Sequence, residues 1–278
     1  MPEPFLKWPG GKRWLVHQHA NLFPSSCGRY LEPCLGGAAV FFHLQPATAI
    51  LSDTNPELIN AFRCVQQNWA SIDEQLRALQ KEHSIELYYR IRAKRLTDPL
   101  ERAVRFIYLN RTCFNGIFRV NKNGDFNVPI GSKDTVEYPE GYLKTISDCL
   151  SKASLQVAGF EDTINAAGKG DFVFVDPPYT VRHNNNNFVK YNSRLFSWSD
   201  QLKLASAIKR AARRGAEIML SNADHYSVRK LYRGFGNHCR IKRSSVLAAE
   251  ALHRGEATEL LITTYALPLG EEQHAEAI

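Results

Sequence analysis

Phe172-Val173-Phe174-Val175-Asp176-Pro177-Pro178-Tyr179 is the stretch that decides the fold. Four apolar, β-prone residues run straight into an acid, two prolines and an aromatic. The run is too short for a helix and rich in Val and Phe, so it reads as a fully buried strand. Pro177 ends it, because proline lacks the N–H that a central strand needs. Asp176 and Tyr179 therefore sit at the carboxyl end of a strand, the edge at which ligands bind in an open α/β sheet.

The four residues after the strand have a chemical logic. A carboxylate at Asp176 and the carbonyl of Pro177 supply two acceptors, one for each N–H of an amino group such as the exocyclic N6 of adenine. That nitrogen is a poor nucleophile, because its lone pair is delocalised into the ring. Accepting both hydrogens favours a more tetrahedral nitrogen with its lone pair aimed at an electrophile. Pro177 and Pro178 fix their φ angles and hold the carbonyl in place. Tyr179 offers a flat face for an extruded base. A plain strand-to-turn junction would also use Asp and Pro. At average residue usage, however, this tetrapeptide arises by chance in well under ~1% of chains this long.

Upstream, Tyr30-Leu-Glu32-Pro-Cys-Leu-Gly36-Gly37-Ala-Ala-Val-Phe-Phe42 reads as strand end, glycine turn and helix. Ile50-Leu-Ser-Asp53-Thr-Asn55 follows as a second strand ending in an acid. Strand, Gly-rich turn, helix, strand and Asp is a nucleotide-binding layout, with the acid placed to hold both ribose hydroxyls. The turn is not G-x-G-x-x-G, which suits a nucleoside without a pyrophosphate, S-adenosyl-L-methionine being the common one. Further upstream lies Phe5-Leu-Lys7-Trp8-Pro-Gly-Gly-Lys12. Gly10-Gly11 leaves the backbone free to approach a ligand, Trp8 gives a stacking face, and Lys7 and Lys12 give charge. Alone, that stretch reads as an ordered turn with Trp8 in the core.

From Pro56 to Leu150 the apolar residues recur at helical spacing, as in Leu58, Ile59, Phe62 and Val65. Arg102 to Arg111 reads as another helix. The polar segment after it contains Asn123-Gly124 between Arg119-Val-Asn and Phe126-Asn-Val, a hairpin turn. Arg102, Arg105, Arg111, Arg119, Lys122 and Lys133 face only Asp125 and Asp134 there, interleaved with Phe114, Phe118 and Phe126. That pattern suits nucleic-acid contact.

Leu155 to Phe160 reads as a strand with Glu161-Asp162 following at the cofactor edge. Thr180 to Lys190, with its Asn184–Asn187 run, reads as a mobile loop or lid beside the site. Ser199-Asp200 reads as the cap of a helix from Gln201 to Arg214, stopped by Gly215. The Lys209-Arg210 and Arg213-Arg214 cluster reads as a solvated helix end. Ala216 to Asn222 and Leu260 to Tyr265 read as strands. Lys242 to Ser245 and Glu250 to Glu259 read as a loop near DNA, and the acidic tail from Gly270 as disordered.

Composition sets outer bounds. A chain of 278 residues can bury a sizeable core. No apolar run is long enough to span a membrane, and the N-terminus lacks a signal-peptide pattern. Cys27, Cys34, Cys64, Cys113, Cys149 and Cys239 are scattered, so they read as reduced cytosolic thiols with no zinc or other metal site. A net charge of +7 suits a polyanionic partner.

The chain resembles the Dam-type, D12-class DNA adenine-N6 methyltransferases over nearly its whole length. The motifs that carry the resemblance are Phe5 to Lys12, Glu32 to Gly37, Leu51 to Asn55, Leu109-Asn-Arg-Thr-Cys-Phe-Asn-Gly116, Phe126-Asn-Val-Pro129 and Asp176 to Tyr179. The resemblance implies an α/β fold. A Rossmann-like S-adenosyl-L-methionine-dependent sheet, residues 1–56 and 151–270, would carry an inserted helical and β-hairpin DNA-recognition domain, 57–150, with a tail at 271–278. Catalysis would rest on Asp176, Pro177, Pro178 and Tyr179. The cofactor would be held by Trp8, Lys12, Gly36, Gly37, Asp53, Asp162 and Asp176. Double-stranded DNA, with GATC as its site, would meet Lys7, Arg111, Phe114, Asn115, Ile117, Arg119, Pro129 and Lys133. Among these, Arg119 matches a guanine reader, Phe114 an aromatic that inserts into the duplex, and Ile117 and Pro129 residues near the thymine methyl. Lys7 matches a contact to the first guanine.

The chain departs from the family at Cys34-Leu35 in the glycine turn and at Lys133, where enterobacterial members carry a tyrosine. The expected protein is a monomer of the bacterial cytoplasm or nucleoid, or phage-encoded, with no membrane association. Two other readings stand beside this one. The first, a methyltransferase for RNA or a protein amide, has the basic hairpin and the full motif set against it. The second, a silent DNA-binding module, has the intact Asp176 motif against it.

Overall fold

The computed structural model describes residues 2–181, 196–244 and 256–267. Its strands are β1 Tyr30–Glu32, β2 Ala49–Asp53, β3 Ala153–Val157, β4 Phe172–Val175, β5 Glu217–Ala223, β6 Asn237–Ser244 and β7 Glu256–Thr263. They form one mixed sheet in the order β3-β2-β1-β4-β5-β7-β6. β4 runs parallel to β1 and β5, while β7 runs antiparallel to both β5 and β6.

The expected central strand is β4. A strand covered on both faces needs apolar residues at every position, and Phe172, Val173, Phe174 and Val175 are all buried. Alternation divides them between faces. Phe172 meets Tyr30 and Tyr265, and Phe174 meets Phe23. Val173 and Val175 join the cluster of Leu204, Ile208, Ala211 and Ile218. Burying each such side chain stabilises the fold by about 1.5–3 kcal/mol.

The chain divides into two compact units. The first is Met1–Val16, Leu35–Ala47 and Leu51–Val157; the second is His17–Cys34, Thr48–Ile50 and Ala158–Ile278. In the first, α1 Arg13–Gln18 begins and α2 Ala39–Leu44 follows the glycine turn. Then come α3 Pro56–Lys81, α4 Ile85–Ala93, α5 Pro99–Thr112 and α6 Tyr142–Leu150. Asn55, Ser84 and Asp98 cap α3, α4 and α5 by accepting backbone N–H bonds, which satisfies donors that a helix start leaves open. Three of the basic residues expected to face nucleic acid also bond within this unit. Arg102 pairs with Glu57, and Arg105 donates to the carbonyls of Ile91 (3.0 Å) and Arg92 (2.6 Å). Arg111 donates to the carbonyls of Thr135 (3.2 Å) and Glu137 (2.8 Å) and lies 3.9 Å over the Tyr138 ring. The physical reason is that carbonyls in loops and in the last turn of a helix lack a ladder partner and need donors, and a guanidinium carries five.

The second unit adds α7 Phe160–Asn165, α8 Trp198–Arg213 and α9 Tyr226–Leu231. Four expectations are corrected here. The strand expected over Leu155 to Phe160 stops at Val157, and Gly159 caps α7 with Glu161 and Asp162 in its first turn; acids there favour a helix start. Helix α8 is capped by Ser197 in a reciprocal box with Asp200, so Ser199 lies inside it. The cluster at the end of α8 is not merely solvated: Arg214 donates to the carbonyls of Ile164 (2.9 Å) and Ala167 (2.8 Å), and Arg210 pairs with Glu161. Lys242 to Ser244 and Glu256 to Glu259 are not loop but paired β6 and β7 residues. Cys239 and Ile241 are buried while Arg240 and Lys242 are exposed, a period of two that the charged composition obscures. The lid expected at Thr180 to Lys190 lies outside the described residues from 182 onward. So do 245–255 and the tail from 268.

One ion pair ties β4 to the rest of its unit. Arg29 donates from Nε and Nη2 to Asp171 Oδ1 (3.0 Å) and Oδ2 (2.6 Å), and Gly168 N–H adds a bond of 2.8 Å. Burial alone pushes the Asp171 carboxyl up, but the bonds from Arg29 and Gly168 outweigh it and hold the group below its ordinary 3.8. A lowered folded value means stability that is complete above the unfolded value and is lost as pH falls through the folded one. Asp171→Asn is therefore expected to melt earlier than wild type near about pH 6, with the gap closing toward about pH 3. Melts of both proteins across that range check it; a gap that stays constant would assign Asp171 a role other than its charge.

Candidate functional site

In the first unit the N-terminal motif is a tight turn. Trp8 O accepts from Gly11 N at 3.1 Å, with Pro9 and a positive-φ Gly10 (79°) between them. Pro then Gly at these two positions is the type II pattern. Lys12 is buried, and its Nζ donates to Gly10 O at 2.9 Å. Trp8 is not simply core: its ring is half-buried and stacks on Phe118, with centroids 6.2 Å apart and planes 18° apart. Gly36 has φ +48°, and a Cβ there would lie 2.8 Å from Trp8 Cδ1. The glycine is thus needed for the seating of Trp8. Gly37 is less constrained, its hypothetical Cβ standing 3.6 Å from Trp8 Cβ.

Asp53 ends β2 as expected. Its Oδ1 accepts from Asn55 N (2.9 Å) and its Oδ2 from Gly36 N (3.3 Å). Burial raises its proton affinity, and the N–H bonds from Asn55 and Gly36 oppose that rise. A carboxylate offers about four lone-pair sites, so acceptor capacity remains beyond these bonds. An oriented, half-buried pair of acceptors next to an aromatic ring and a close-approaching backbone fits the ribose and base of a nucleoside, and so fits S-adenosyl-L-methionine.

The DNA-reading candidates share this unit. Asn110 ties two motifs together: its Oδ1 accepts from Lys7 N (2.9 Å), and its Nδ2 donates to Lys7 O (2.8 Å) and Gly116 O (3.1 Å). Sequence reasoning missed Asn110 as a functional residue, although it lies inside one of the quoted motifs. Gly116 has φ +65°, and a Cβ would stand 2.7 Å from Lys7 Cβ. Between them the chain makes a short turn with Asn115 at φ 55° and Phe114 at 52% exposure, an aromatic with no core to fill. Burial lowers the proton affinity of Lys7, and the charges of Lys133 and Arg111 lower it further. Three cations held together favour an anion among them.

The hairpin around Asn123-Gly124 has a single bridge, Val120↔Phe126. Its loop is three residues and not two. Gly124 N donates to Asn121 O (3.0 Å), Asn121 N to Asp125 O (2.9 Å), and only Gly124 has positive φ. That is a turn followed by a left-handed glycine. Asn121 Oδ1 accepts from the N–H groups of Asn123 and Asp125 and fixes the loop. Arg119 is exposed, with Nε donating to Asn127 Oδ1 at 2.7 Å. Ile117 is half-buried, and Pro129 and Lys133 are exposed. A cleft of about 730 Å³, lined in part by Arg92, Arg95, Phe106, Phe118 and Asn121, lies under the hairpin.

In the second unit Asp176 and Tyr179 follow β4, both half-buried. Pro177 is buried and Pro178 half-buried. Glu32 was not singled out as a site residue; it ends the neighbouring strand β1, is 3% exposed, and accepts from Tyr30 Oη at 2.9 Å. Burial raises the Tyr30 phenol far above its ordinary range, and the negative charges of Glu32 and Asp176 add to the rise. Two carboxyls thus gather at the carboxyl ends of adjacent parallel strands. The phenol of Tyr179 contacts Ser221 Oγ (2.8 Å) and donates to Glu259 Oε2 (2.8 Å). Asp162 is exposed on α7 in the same unit.

Known proteins are similar to this chain over most of its length. M1.LlaDCHI, a Type II methyltransferase of Lactococcus lactis subsp. cremoris, is 35% identical over 271 residues, covering 94% of this chain and 95% of its own. M.MjaIII, a Type II methyltransferase of Methanocaldococcus jannaschii, is 32% identical and covers 95% and 99% of the two chains. A DNA adenine methylase of Haemophilus influenzae is 32% identical, covering 93% and 92%. The family model of the D12 class N6 adenine-specific DNA methyltransferases matches residues 8–246. That span runs from Trp8 through the glycine turn, Asp53, the hairpin and Asp176-Pro-Pro-Tyr179, and on this ground the chain belongs to the D12 class of N6 adenine-specific DNA methyltransferases.

Proposed function

We propose that this methyltransferase takes its methyl group from S-adenosyl-L-methionine and places it on N6 of an adenine turned out of a short duplex site, GATC. The observation that carries the reading is the placing of Asp176-Pro177-Pro178-Tyr179 directly after the buried strand β4, with the Tyr179 phenol anchored to Glu259 and Ser221. When bound, the cofactor supplies an electrophilic methyl on a sulfonium. Trp8, Lys12, Gly36 and Gly37 shape its site, and Asp53 accepts from its ribose.

Asp176 and the Pro177 carbonyl take the two N6 hydrogens in hydrogen bonds and direct the nitrogen lone pair. Methyl transfer to that lone pair would leave N6 with a surplus proton, which would pass to solvent. Tyr179 stacks on the base, which lowers the cost of holding it outside the duplex. Residues 57–150 act as an inserted recognition domain on a Rossmann-like catalytic sheet. Phe114 fills the space opened in the duplex, Arg119 reads a guanine, and Ile117 and Pro129 line the thymine methyl. Lys7 and Lys133 meet the first base and its phosphate, with Arg111 adding to their field and Asn115 holding the turn. The enzyme works as a monomer on double-stranded DNA in the cytoplasm.

The test is direct sequencing of modified bases in DNA from cells that lack other adenine methylation and express this chain. N6-methyladenine confined to GATC is expected. Methylation at a different motif would overturn the site, and N4-methylcytosine would overturn the target atom.

A further inference from the structure

Glu259 lies on β7 among Leu260, Leu261 and Ile262, and it is 2% exposed. Placing a carboxyl inside a sheet is costly unless its oxygens are bonded. A leucine would fill the same space, so the acid needs a reason. The register supplies one. Ala223 of β5 pairs with Glu259, and Ser221 pairs with Leu261, so Ser221 and Glu259 are diagonal neighbours on one face of the sheet. Ser221 Oγ lies 3.2 Å from Glu259 Oε2. The phenol of Tyr179 completes the triangle at 2.8 Å from each. Burial raises the phenol far above its ordinary range, and the charges of Asp176 and Glu259 add to the rise, so its proton stays on oxygen and points at Glu259. Ser221 then donates to the phenol oxygen or to the same carboxylate.

We propose that Glu259, with Ser221, is a positioning residue for the catalytic motif: it holds Tyr179 by the hydroxyl so that the ring plane is set before the adenine arrives. The inference rests on the reading of Tyr179 as the stacking face. The ring has two free torsions, and a flexible side chain must be immobilised when the base lands on it. Fixing it beforehand removes that cost from the productive complex. The rest of the motif is held by proline, which reaches the backbone of Pro177 and Pro178 but not the side chain of Tyr179.

The experiment is single-turnover methylation of a GATC duplex at saturating enzyme and S-adenosyl-L-methionine. Tyr179→Phe and Glu259→Gln are each expected to slow the step about five- to tenfold, the effect of one lost or weakened hydrogen bond, with duplex affinity unchanged. The double variant is expected to be no slower than the slower single variant. With 2-aminopurine at the target position, both variants should show brighter emission than wild type, because the turned-out base is less firmly stacked. Additive losses in the double variant, or a wild-type rate for Tyr179→Phe, would overturn the proposal. Tyr179→Phe leaves β7 untouched, so it decides the matter even where Glu259→Gln fails to fold. Tyr179→Ala separates the two ideas. A wild-type rate there removes the stacking role itself, whereas a slow Tyr179→Ala beside normal Phe and Gln variants removes only the part given to Glu259.

Discussion

Asp176→Ala is expected to lower the single-turnover rate of methyl transfer by about 10²–10³-fold, the usual effect of removing one preorganised partner of developing charge. Duplex affinity should stay near that of wild type. The expectation follows from the contact proposed between Asp176 and N6. N6 develops positive charge as it bonds to the methyl carbon, and a carboxylate accepting one of its hydrogens is stabilising at that moment and little before it. A carboxylate makes no attractive contact with phosphate, so DNA binding has no reason to fall. The charges of Asp176 and Glu32, both felt at Tyr30, make the local potential negative, which favours the same charge. Asp176→Asn keeps an acceptor oxygen but loses the charge, so it should fall between alanine and wild type. Filter binding and methyl incorporation on one duplex measure both quantities. Near-normal transfer by the alanine variant would remove Asp176 from the chemistry.

Arg119→Ala is expected to relax preference at one guanine of the site while methylation of the relaxed set continues. A bidentate arginine–guanine contact is worth roughly 1–3 kcal/mol of discrimination, or about 5–150-fold against the wrong base. Arg119 is exposed on the hairpin, and its Nε bond to Asn127 Oδ1 and the longer Nη2 contact to the Asn127 carbonyl (3.5 Å) orient the fork. Five donors are available, so these two leave others for a base edge. Asn127→Ala, which frees the fork without removing it, should blur the same position less. Lys133 carries a point charge and no fork, so fidelity at the first base should be lower than at the Arg119 position. Methylation of a library of single-base variants of GATC would show this as uneven fidelity. Full selectivity in Arg119→Ala, or an equal loss at every site, would remove the base-reading role.

The strand β4 and the motif that follows it were legible in the sequence because every part of them is local. Strand, acid, prolines and tyrosine are consecutive, and burial follows from composition. Asp53 and the Trp8 turn were legible for the same reason, each being a strand end or a Pro-Gly turn. The purpose of Gly36 was not, because it is set by Trp8, which is 28 residues away in the chain. The partners of the arginines were not legible in the sequence. A guanidinium bonds equally well to phosphate and to a loop carbonyl, and only the tertiary structure shows that Arg102, Arg105 and Arg111 reach carboxylate or carbonyl oxygens of their own unit.

The edge of the sheet failed in another way. β6 carries charges at its exposed positions, and those charges masked the alternation of Cys239 and Ile241. Tyr179 shows the boundary most clearly. Its position in the motif is a property of the sequence. Its orientation depends on Ser221 and Glu259, 42 and 80 residues further on, and those side chains meet it only because the β5–β7 register places them on one face. Sequence by itself determined which groups stand together on one strand end or turn, since local spacing and backbone limits act without the rest of the fold. Only the tertiary structure decided which groups hold them, since antiparallel register and long-range packing bring together residues that no spacing rule connects.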